Sequence, residues 1–107
     1  MRVILVPWYI DHMATEETIE VERVQTGVRM EKRLLKVLKG LAEFHDISLG
    51  DLIEGIVLHA FDGKVPFGDA SLERIRSLKK IYGLDLDSRA SHRLREAAPP
   101  AARKRAR

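Results

Sequence analysis

The spacing of apolar and polar residues changes rhythm along this chain. From Arg23 to Met30 the two kinds alternate: Val24, Thr26, Val28 and Met30 form one set, and Arg23, Gln25, Gly27 and Arg29 the other. A period of two is that of an extended strand with an apolar and a polar face, so this stretch reads as a strand. From Glu31 the period lengthens. Leu34, Leu35, Leu38, Leu41 and Ala42 recur at helical spacing, which predicts a helix over about 31–45, with Lys32, Arg33, Lys36 and Lys39 lying largely off its apolar face. Asp46 and Ile47 form a turn, and Ser48 is suited to cap a second helix, with Asp51 at the capping-box position. That helix runs to about Phe61 and is expected to bury Leu52, Ile53, Ile56, Val57, Ala60 and Phe61, with Gly63 ending it in a left-handed turn.

A loop over 64–68 leads to a third helix, beginning at Asp69 or Ser71 and stopping at Gly83, with Leu72, Ile75, Leu78 and Ile81 or Tyr82 on one side. A short further helix is expected around 88–96. This pattern divides the chain into a flexible N-terminal extension at 1–21, a strand-helix-helix domain at 22–62, a helical extension at 63–96 and a disordered basic tail at 97–107. Met13 reads as a plausible translation start, which would leave 1–12 dispensable; the rival reading makes Val3–Val6 a real strand.

The 22–62 block poses a structural problem. A lone strand ahead of two short helices has an open edge, and about 40 residues is near the floor for independent folding. The strand is therefore expected to pair with its copy on a second chain. Charge sharpens the picture. The net charge is +3 over 107 residues, but 23–39 carry six Lys or Arg against Glu31 alone, and 89–107 carry seven against Glu96 alone. Local fields of +5 and +6 in an otherwise mildly acidic body point to a polyanion. In a paired ribbon the outward residues would meet base edges, where Arg suits guanine and Gln suits adenine.

Taken together, the strand, the Leu34/Leu35/Leu38/Leu41-Ala42 helix, the His45-Asp46-Ile47-Ser48 turn and the second helix resemble the ribbon-helix-helix repressors typified by Arc, MetJ and CopG. The resemblance covers about 22–62, somewhat over a third of the chain. It implies a mainly α fold, an intertwined homodimer and an antiparallel ribbon in the major groove of double-stranded DNA, with possible higher-order assembly there. By position it places Gln25, Gly27 and Arg29 at the base-reading places and Ser48, Leu49 and Gly50 at a phosphate clamp, where helix N-terminal amides favour an anion. Arg23 and Lys32 are further candidates for phosphate. Val24, Val28, Met30, Leu38, Leu41, Leu52, Ile53 and Ile56 are the expected dimer core. Gly27 stands where the family commonly has a polar side chain, so base reading would rest on few groups.

The implied function is a sequence-specific transcriptional regulator, a repressor acting at the nucleoid in the cytoplasm. The alternative is an antitoxin whose residues 69–96 bind a toxin; a third reading is an all-helical dimer that binds no nucleic acid. The chain has no cysteine, and its four histidines (His12, His45, His59 and His92) lack ligand spacing, so no metal or cofactor is expected. No nucleophile with a base and no phosphate loop stands out, and no catalytic residue is assigned. No apolar run reaches membrane-spanning length.

Overall fold

The computed structural model describes residues 18–98. Three α-helices follow one another: α1 (Lys32–His45), α2 (Leu49–Phe61) and α3 (Asp69–Tyr82). Local chemistry sets each boundary. Glu31 caps α1, its carboxylate accepting the Leu34 N–H at 2.7 Å. That bond is the first cause holding the Glu31 carboxyl below its ordinary pKa. At the other end Asp46 enters the left-handed region (φ 59°), and the Ile47 N–H returns to the Ala42 carbonyl at 3.0 Å. Ser48 caps α2 by accepting the Asp51 N–H at 3.0 Å. Gly83 (φ 68°) ends α3, allowing the Leu84 N–H to reach the Lys79 carbonyl at 2.9 Å.

α1 is the central element and packs on both α2 and α3. Val37, Leu41 and Ala42 of α1 meet Leu52 of α2, Leu78 of α3 and Leu84 beyond it, with Leu41 only 1% exposed. α1 and α3 cross closely at Gly40, where an added Cβ would lie 2.8 Å from a Leu78 methyl. Lower on the same crossing, His45 Nε2 and Ser71 Oγ form a buried hydrogen bond at 2.9 Å. Burial pushes the His45 imidazole below its ordinary pKa.

The expected ribbon is absent. Among the described residues no strand forms, and 18–29 run as an exposed segment with Val24 and Val28 more than three-quarters exposed. An alternating sequence specifies two faces but cannot supply a ladder of backbone hydrogen bonds without a second strand, and no other described segment provides one. The mainly α part of the expectation stands, and the ribbon-helix-helix arrangement with a cross-paired N-terminal strand does not. Two further expectations need correction. The helix at 88–96 reduces to a 3₁₀ turn, Ser88–Ala90, and His92 takes a left-handed backbone (φ 65°) that cannot continue a helix. On α2, Leu52 alone is buried; Val57 and Ala60 are exposed and Phe61 is 81% exposed. No described helix is long and apolar enough to cross a membrane.

Candidate nucleic-acid interface

The outward face of α1 carries Lys32, Lys36, Lys39 and Glu43, all exposed. Spacings of four, three and four put them on one stripe opposite Val37 and Leu41. The stripe is therefore a consequence of amphipathicity: burying the leucine face turns three ammonium groups to the same side. Lys36 Nζ also sits 5.6 Å from the Tyr82 ring centre, which steadies it over the end of α3. Arg33 lies to one side, donating to the Gly83 carbonyl at 2.8 Å and pairing with Glu31 and Asp85.

The segment leading into α1 adds two arginines. Arg23 forks onto Glu54 of α2, with bonds of 2.8 and 2.7 Å, and Arg29 forks onto Glu96 near the end of the described chain. Each arginine's hydrogen bonds, and then its charge, hold the partner carboxyl below its ordinary pKa. Both pairs are open to water, with the Arg29 side chain 83% exposed. Ion pairs so placed contribute little to stability and are readily exchanged for another anion. Gln25 and Gly27 lie between them, exposed, with open space around the Gly27 backbone.

The expected phosphate clamp occupies the start of α2. Ser48 and Gly50 are exposed and Leu49 half-buried. The first backbone bond within the helix is that of the Leu52 N–H to the Ser48 carbonyl, at 3.0 Å, so the amides of Leu49 and Gly50 precede the ladder. Asp51 shares this first turn and opposes an incoming anion.

The residues expected to form a dimer core separate into three groups. Leu41 and Leu52 lie inside the chain's own core, and Met30, Leu38, Ile53 and Ile56 are half-buried. Val24 and Val28 are exposed. On α2 an apolar stripe opens to solvent in the single chain: half-buried Ile53, then exposed Val57 and Phe61, spaced by four, with Leu58 65% exposed beside it.

Sequence reasoning missed the acidic partners Glu54 and Glu96, which stand 31 and 67 residues from the arginines they hold. No local pattern links residues so far apart. It also missed the His45–Ser71 bond, since Ser71 reads in sequence as a helix cap. Among the described residues no group of three His, Cys, Asp or Glu could hold a metal ion. Comparison with protein-family models, curated proteins and solved structures found no match to this chain.

Proposed function

We propose that this chain is a DNA-binding regulator that acts as a homodimer. The observation that carries the reading is the segregation of charge: the outward face of α1 presents Lys32, Lys36 and Lys39, and the exposed segment before it presents Arg23, Gln25 and Arg29. Of the six cations over 23–39, Lys32, Lys36 and Lys39 are exposed on one face of α1, and Arg23 and Arg29 are exposed beside it in solvent-open ion pairs, which is the electrostatic footprint of a protein that follows a phosphate backbone.

In this reading the lysines, Arg23 and the amides opening α2 at Ser48, Leu49 and Gly50 engage phosphates and fix position. Gln25 and Arg29 lie along a groove as an extended arm, as basic arms of other DNA-binding modules do, and supply base contacts. Gly27 lets the arm approach closely. Glu54 and Glu96 occupy the arginines in the free protein and exchange them for DNA. The second copy covers the Ile53–Val57–Phe61 stripe of α2, and such a protein would act at the chromosome in the cytoplasm.

The location of α3 favours this over the antitoxin reading. Ser71 and Leu78 are buried against α1, so the inner side of α3 is engaged with the chain's own core and is not held free for a partner.

The test is fluorescence anisotropy with a labelled duplex of random sequence at several salt concentrations. Wild-type affinity should fall steeply with salt, and replacing Lys32, Lys36 and Lys39 together by Gln should reduce the log–log slope by up to about 3. An unchanged slope would remove α1 from the interface.

A further inference from the structure

A different part of the molecule contains a groove of about 460 Å³ between the three helices and the strap of chain over 84–94. That volume lies within the roughly 300–1,000 Å³ typical of small-molecule sites. Its floor is hydrocarbon, from Leu38, Ile56, Phe67 and Ile75, and Leu86 and Leu94 of the strap line its other side. The polar lining comes from Lys79 and a short run of the strap, Asp87, Ser88, Ser91 and His92.

The charges in that lining are unequal. The Asp87 carboxylate is already satisfied, accepting the Arg89 backbone N–H at 3.0 Å and its guanidinium at 2.8 Å. Lys79 is half-buried and makes no salt bridge among the described residues, though its charge also acts on Asp87. The groove therefore offers an ammonium beside an apolar trough, with the neighbouring carboxylate already held by Arg89, a combination complementary to an amphipathic anion. The strap is shaped around the groove. His92, one of its lining residues, sits in the left-handed region (φ 65°), a conformation costly to a side-chain-bearing residue and frequent where chain is held around a ligand. Its fastenings are exposed: Arg33 to the Gly83 carbonyl and Asp85, and Arg29 to Glu96. Such fastenings can open without disturbing the buried leucines.

We infer that the groove under the 84–94 strap binds a small amphipathic carboxylic acid, its carboxylate on Lys79 and its hydrocarbon along Leu38, Ile56 and Ile75. Because Arg29 fastens the strap and also belongs to the proposed DNA arm, such an acid would act as an effector that couples the two. Acid binding itself does not depend on the DNA reading and is measured without DNA.

The probes are decanoate and decylamine, titrated into the full chain and followed by methyl NMR and calorimetry. Saturable binding of one decanoate per chain is expected, with shifts at Ile75, Leu86 and Leu94 and at least tenfold weaker binding of decylamine. Lys79→Gln should abolish the preference for the acid, and Ala90→Trp, which fills the lining, should abolish binding. Leu94→Trp, at a more exposed lining position, repeats the block if the first variant fails to fold. Equal binding of the two probes, no decanoate binding at millimolar concentration, or binding unaffected by Lys79→Gln would overturn the inference. Groove methyls that shift with protein concentration and ignore decanoate would overturn it too, assigning the groove to a second copy of the chain.

Discussion

His45 carries a burial cost that shows in the response to pH. The residue is 5% exposed, its imidazole bonded to Ser71 and pushed by burial below its ordinary value of 6.5. A histidine that resists protonation when folded binds fewer protons than its unfolded counterpart. Its stabilising contribution is complete above about pH 6.5 and is lost as pH falls through that value towards the lowered folded pKa. The lowered carboxyls of Glu31, Glu54, Asp87 and Glu96 act the same way but in a more acidic window, below their ordinary values near 4. Denaturant unfolding should therefore show falling stability between pH 6.5 and 5, and His45→Gln should flatten that slope while leaving the loss below pH 4.5. A slope that survives the substitution would assign the effect to another group. Ser48 is a simpler case: losing its cap to Asp51 in Ser48→Ala should cost about 1 kcal/mol by the same measurement.

Among the elements, the helices were legible in the sequence because their signals are local. Leucines at helical spacing, Ser48 ahead of α2 and Gly83 after α3 act within a turn of where they stand. The strand was not legible as an outcome, because Val24-Gln25-Thr26-Gly27-Val28 states a preference of faces while strand formation depends on a partner. The exposure of Phe61 was hidden for a related reason: an apolar helix announces that it wants cover without saying which side its own chain will cover. Of the candidate interface, the lysine stripe followed from α1's period, whereas the hold of Glu54 and Glu96 on the arginines followed from tertiary structure alone. Gly40 marks the α1–α3 crossing. Gly40→Leu should overpack it and destabilise the chain by roughly 1–3 kcal/mol, whereas Gly40→Ala sets a gain in helix propensity of about 1 kcal/mol against displacement of Leu78. Loss of stability in the Leu variant equal to that in Ala would mean the helices separate freely there.

At the scale of the whole molecule, one chain leaves two surfaces whose chemistry calls for company: the Ile53–Val57–Phe61 stripe and the cationic face of α1 with its leading arm. A small buried core of Val37, Leu41, Ala42, Leu52, Leu78 and Leu84 is modest for a domain standing alone, which also favours association. Phe61→Glu should shift the protein towards monomer in sedimentation velocity and weaken DNA binding with it. Phe61→Glu protein that remained dimeric would move the interface elsewhere. The most direct measurement of the central claim is selection of bound duplexes from a random-sequence pool by the full chain, with Arg29→Ala alongside. The account predicts a repeated or palindromic preferred sequence, bound by two chains, with Arg29→Ala losing roughly tenfold or more on it and relaxing the preference at one base position. Recovery of no preferred sequence, together with no retention of random duplex at low salt, would contradict it.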